Sequence, residues 1–241
     1  MTIGIDVSQR KAIRAAGFLY LLMTFTAPIG IMYVPSKLFV LGDATATADN
    51  IRASESLLRI GIGCELFHQA IAVFLVMALY RLLEPVNENH AKLLVVLGAL
   101  VSVPIMFLNV LNEIAALILV SGADFLSAFQ KSQLDALALL FIRLHSHGIE
   151  IATIFWGLWL FPFGILVIRS GFIPRILGIL LFIAGSANLA SSLTSLVMPQ
   201  YEYFVGQFAT VLAILEMPIV FWFIIRGLWP SGIIEGENKL R

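Results

Sequence analysis

The residues able to do chemistry concentrate in the stretch 141–152, where Arg143, His145, His147 and Glu150 interrupt sequence that is otherwise apolar enough for a membrane. Ionisable groups at membrane depth are expensive unless they face partners or a wet cavity. On a helix, Arg143, His147 and Glu150 fall at i, i+4 and i+7 and share one face, while His145 points nearly the opposite way. The spacing therefore predicts an inward polar face built on Arg143, His147 and Glu150. His145 is left to a hydrogen bond near the outer boundary.

Other apolar segments supply partners at a matching depth. Counting about 1.5 Å per helical residue puts Glu65, His68, Glu113, His147, Glu150, Asn188 and Glu216 roughly 10–20 Å below one interface. Glu65 and His68 share a face at i, i+3, as do His147 and Glu150, and Asn109, Asn112 and Glu113 cluster on one side of their helix. With Arg143, these residues define an expected polar cavity in the outer half of a bundle.

The chemistry that such a set suggests is metal binding. Di-iron and di-manganese bundles take a lone Glu from each of two helices and a Glu-x-x-His from each of two others. Glu65-x-x-His68 matches that order, His147-x-x-Glu150 matches it in reverse, and Glu113 and Glu216 stand as the lone carboxylates. A smaller set of His68, His147 and one carboxylate from Glu65, Glu113 or Glu150 fits catalytic zinc with an open position. A water activated there attacks an ester or amide of a lipid-like substrate. Which divalent metal ion is bound, if any, stays open. The same residues also make a neutral hydrogen-bonded or proton-carrying network, as in a small proton-coupled transporter or a non-catalytic membrane sensor. Haem between His68 and His147 suits the surrounding glutamates less well. No Gly-rich phosphate loop, nucleophile elbow, dinucleotide fingerprint or Cys-x-x-Cys pair is present. Arg59 and Arg143 are candidates for an anionic head group, or for snorkelling to the interface.

These side chains must be positioned by elements that a membrane dictates. Of 241 residues, 60% are hydrophobic and 12% charged, and the mean hydropathy is +0.96, which excludes an ordinary soluble domain. The fold class expected is all-α, a single polytopic transmembrane domain of six helices. The spans are expected at approximately 12–33, 53–82, 91–120, 136–168, 174–197 and 203–228. The first is too long for a signal peptide and reads as a retained span. It should end near Pro35, the loop 42–50 offers several N-cap candidates for the second helix, Asp49 and Asn50 among them, and Pro104 should kink the third. The link 121–135 suits a short interfacial helix, and His90 a solvated loop. In the tight link 169–175, Gly171 reads as a helix stop and Pro174 as a start. Small residues make the fifth span central, and Gly157 and Gly164 mark helix contact. The single cysteine, Cys64, excludes an internal disulfide and reads as a packing residue.

Fifteen basic and fifteen acidic residues cancel, so nothing argues for nucleic acid as a partner, while a lipid or small-molecule ligand fits the polar cavity. Their distribution carries more. With both termini cytoplasmic, that side holds ten Lys and Arg residues (Arg10, Lys11, Arg14, Arg81, Lys92, Arg169, Arg175, Arg226, Lys239 and Arg241) against five on the other. The positive-inside bias thus predicts both termini inside.

Several motifs have a familiar look: Ala15-Ala16-Gly17-Phe18-Leu19-Tyr20, the run 42–51, Gly157-Leu158-Trp159, and above all Arg169-Ser170-Gly171-Phe172-Ile173-Pro174-Arg175-Ile176-Leu177-Gly178. Together they resemble the bacterial membrane family called domain of unknown function 4386, over nearly the whole chain. The resemblance implies a six-helix protein of a bacterial-type inner membrane. It implies no activity and assigns no residue a role.

Overall fold

The computed structural model describes residues 7–228, so Trp229, Lys239 and Arg241 lie outside the described residues. Six stretches of helix are long and apolar enough to cross a membrane: Ser8–Leu38, Glu55–Leu83, Glu88–Val120, Lys131–Ser170, Arg175–Val197 and Pro199–Gly227. No strand occurs among the described residues. The chain is a multi-pass membrane protein, since apolar helices satisfy their own backbone groups where lipid offers none.

The first crossing is α1 (Val7–Ala27), a π-helical turn (Pro28–Tyr33) and α2 (Val34–Leu38). It runs past Pro35, which sits in the first turn of α2, where a missing N–H breaks nothing. A separate helix, α3 (Ala44–Ala53), follows at the bundle end. Its cap is Asp43, whose carboxylate accepts from the Ala46 N–H at 2.9 Å. Asp49 and Asn50 are therefore not caps of the second crossing. Asp49 lies within α3 and pairs with Arg52, and Asn50 donates to the Leu38 carbonyl at 3.2 Å.

The second crossing is α4 (Glu55–Leu83). The third is α5 (Glu88–Val95), a π-helical turn (Val96–Val101) and α6 (Ser102–Val120). The π turn stands just ahead of Pro104, so the disturbance expected from a proline without an N–H appears as a local widening of the helix. His90 belongs to α5 and bonds Asn87, which caps that helix. The link 121–135 holds one 3-10 turn, Asp124–Leu126, in place of an interfacial helix. From Lys131 onward the chain is already α7 (Lys131–Ser170).

Gly171, at φ 73°, ends α7 in the left-handed region that an L side chain resists. The fifth crossing, α8 (Arg175–Val197), then packs tightly on α7. A Cβ built on Gly157 would lie 2.9 Å from the Gly185 carbonyl, and one on Gly164 the same distance from that of Gly178. Small residues thus let the two backbones meet, as the glycine spacing predicts. The sixth crossing is α9 (Glu202–Ala213), a 3-10 turn (Ile214–Glu216) and α10 (Met217–Leu228), with α10 returning against α1.

Two apolar clusters fill the interior. One occupies the end where α1 begins and α10 finishes and includes Leu79, Trp159, Phe163 and Phe223, with Trp159 stacked on Phe163. The other gathers Leu38, Ile51, Leu58, Ile62, Leu117 and Ile142 beneath α3. Polar side chains lie between them on α4, α6 and α7.

Candidate metal centre

Between the two clusters each of those three helices turns one ionisable residue inward, and α7 buries a second, Asp135, at its start. On α4 the buried positions include Leu58, Ile62, Glu65 and Gln69; on α6 they include Met106, Asn109 and Glu113; on α7 they include Ala138, Ile142, His145 and Ala152. The repeats of three and four are those of packed helices, so Glu65, Glu113 and His145 occupy places that apolar neighbours would otherwise fill. Their relative exposures are 2, 1 and 3%.

Ligand atoms of the three lie within 4.8 Å of one another. His145 Nε2 is 3.4 Å from Glu65 Oε1 and 3.9 Å from Glu113 Oε1. Both Glu65 oxygens and Glu113 Oε2 are buried without a hydrogen-bond partner. The imidazole, by contrast, is anchored from behind. His145 Nδ1 lies 3.3 Å from the Asn109 carbonyl, which can only accept, so Nδ1 donates and Nε2 is directed at the carboxylates. Asn109 Nδ2 donates to the His145 carbonyl at 2.9 Å, and Asn112 Nδ2 donates to Asn109 Oδ1 at 3.0 Å.

Two glycines make room for this arrangement. The π turn brings Gly30 against Glu65, where a Cβ would come within 2.8 Å of Glu65 Cγ, and a Cβ on Gly148 would collide with the Asn109 amide.

The other residues expected in one cavity are placed elsewhere. His68, one turn beyond Glu65, shares a hydrogen bond of 2.9 Å with Thr26 Oγ1 on the first crossing. Arg143 and His147 are exposed, and Glu150 is half-buried. Ser195 on α8 donates to Glu202 Oε1 at 3.1 Å. Asn188 packs against Gly157 at the α7–α8 seam. Glu216 lies in the 3-10 turn of the last crossing. Of the residues expected to bind metal, Glu65 and Glu113 come together; the imidazole that meets them belongs to His145. The signal for it was the apolar stripe Ala138, Ile142, Ala152 and Trp159, into which His145 falls in register.

The model of the family described as Domain of unknown function (DUF4386) matches residues 15–227. The chain belongs to this family. No curated protein and no solved structure matches it. In this DUF4386 chain the matched region contains the whole Glu65, Glu113 and His145 cluster.

Proposed function

We propose that this protein is a metalloprotein of a bacterial-type inner membrane, with both termini cytoplasmic and a divalent ion held by Glu65, Glu113 and His145 in the outer half of the bundle. The observation that carries the reading is a pair of buried carboxylates, three of their four oxygens unpartnered, converging on one oriented imidazole nitrogen. Taking an ionised carboxylate out of water costs several kcal/mol, and two together repel. A divalent cation offsets both effects, because two ionised carboxylates and a neutral imidazole bring its formal charge to zero. The Asn109 carbonyl behind His145 is the kind of partner that fixes the tautomer of a metal-ligating histidine.

A donor set of one imidazole and two carboxylates suits Zn²⁺, Mn²⁺ or Fe²⁺. Three protein ligands leave coordination room, and a bound ion supplies the Lewis acidity that brings a water pKa to about 7. The reaction class this supports is metal-assisted hydrolysis of an ester or amide. A second reading, a proton-carrying network, is favoured by the position of Nε2 between the two carboxylates, since an anchored imidazole can pass a proton from one to the other.

Elemental analysis of the detergent-purified protein separates the two. The metal reading expects one transition-metal ion per chain. Zn²⁺, Mn²⁺ or Fe²⁺ added to chelator-treated protein at 100 times its Kd should stabilise the bundle by about 2.7 kcal/mol and raise its thermal midpoint. His145→Ala should abolish the rise and His147→Ala should keep it. Substoichiometric metal together with an unmoved midpoint overturns the metal reading and favours the proton network.

A further inference from the structure

We infer that the seam between α4 and α6, at the end that carries α3, is a phospholipid site with the phosphate on Arg59 and one acyl chain laid along the seam. A groove of about 400 Å³ runs there. Arg59 and Ser121 stand at its mouth, and Ile62, Gly63, Ile114 and Ile118 line it. That volume falls within the range of ligand sites, about 300–1,000 Å³.

Position and charge select the occupant. Both walls belong to membrane-spanning helices, so what fills the groove comes from the bilayer. Arg59 is one turn into α4, near the end of that crossing. Its Nε and one terminal nitrogen both reach Glu55 Oε1, at 2.8 and 2.6 Å, in a pair with side-chain exposures of 64 and 51%. An exposed pair of that kind contributes little to stability, so a phosphate can take the place of the Glu55 carboxylate on the guanidinium fork. Below it the walls are aliphatic. A Cβ on Gly63 would meet nothing within 4 Å, so the groove keeps open space at that point.

The groove also leads towards the candidate metal centre. Ile62 stands three residues before Glu65, and Leu117, another lining residue, four after Glu113. Each is about one helical turn, roughly 5.4 Å, from its carboxylate-bearing neighbour. As a statement about binding, the inference is independent of the metal; that the lipid is what reaches the centre rests on the metal reading.

Native mass spectrometry of the full chain tests it, with phosphatidylglycerol and a diacylglycerol of the same chains as probes. Wild type should retain one phosphatidylglycerol and no diacylglycerol. Arg59→Gln should lower retention about tenfold, a loss of roughly 1.4 kcal/mol. Gly63→Phe, which builds into open space and so preserves the bundle, should abolish retention while leaving the metal-dependent rise of the thermal midpoint intact. His145→Ala should lose that rise and retain the lipid, so failure of the metal reading is seen separately from failure of the groove. Undiminished phosphatidylglycerol retention in Gly63→Phe, or in Arg59→Gln, overturns the proposal and marks the lipid as ordinary annular lipid.

Discussion

Asn109 and His145 hold each other by two hydrogen bonds between α6 and α7: the Asn109 amide donates to the His145 carbonyl, and the His145 ring donates to the Asn109 carbonyl. The first bond ties backbone to side chain and the second aims Nε2. Asn109→Ala removes the first and loosens the second. Thermal unfolding should register a loss of about 1–3 kcal/mol, the range for a buried group stripped of its partner. Metal titration should show affinity lower by roughly 10–100-fold, as for the loss of outer partners of a metal-ligating histidine. Asn112→Ala, one bond further out, should cost less on both scales.

Gly148 exists for the same contact. Gly148→Ala forces a methyl group into the Asn109 amide and should destabilise the bundle by about 1–3 kcal/mol, the usual range for overpacking. Because the clash needs both side chains, Gly148→Ala with Asn109→Ala should be less destabilised than the sum of the two single changes, by about 0.5–3 kcal/mol. Additive losses in the double-mutant cycle would show that the two residues do not meet.

A cluster of charges clasps α3 to the start of α7. Buried Asp135 receives Arg52 and, at 2.8 Å, Lys131; Asp49 receives the same two cations at 2.6 and 3.1 Å. The hydrogen bond from Lys131, and then the one from Arg52, hold the Asp49 carboxyl below the usual carboxylate range. A depressed folded-state pKa contributes stability that is present above the unfolded value of about 4 and is lost as pH falls through the folded value. Hydrogen-exchange protection of α3 should therefore be level from neutrality down to about pH 5 and decline in more acidic solution. In Asp49→Asn the part of this decline that belongs to Asp49 should vanish. An unchanged acid profile in that variant would place the acid sensitivity elsewhere.

The orientation is tested by reporter fusions. Fusions after Gly122 and after Met198 should report the outside, and fusions after Asn87 and at Arg241 the inside, on the basis of ten basic residues against five. A cytoplasmic signal after Met198 would reverse the orientation or change the number of crossings.

Much of the architecture was legible in the chain because the bilayer imposes it. A run of about 20 apolar residues has one good solution in lipid, a helix that satisfies its own backbone, so six such runs determine six crossings. The close approach of α7 and α8 was legible for a similar reason, since glycine is the one residue without a side chain to keep backbones apart. Glu65 and Glu113 could be recognised as partners because a carboxylate at membrane depth has few other places to go. Local exceptions such as the Asp43 cap and the π turn ahead of Pro104 depend on how neighbouring helices meet.

What only the tertiary structure decided is which side of α7 faces inward. The sequence by itself presents Arg143, His147 and Glu150 as a polar stripe and His145 as its opposite, and an isolated helix offers no reason to bury His145. Packing against α6 and α8 supplies one. Ala138, Ile142, Ala152 and Trp159 recur at the spacing that packs into facing helices, and burying that stripe turns His145 towards Glu65 and Glu113. It leaves Arg143 and His147 exposed. The sequence therefore determined that ionisable residues lie deep in the membrane, while the long-range contacts of three helices decided which of them meet.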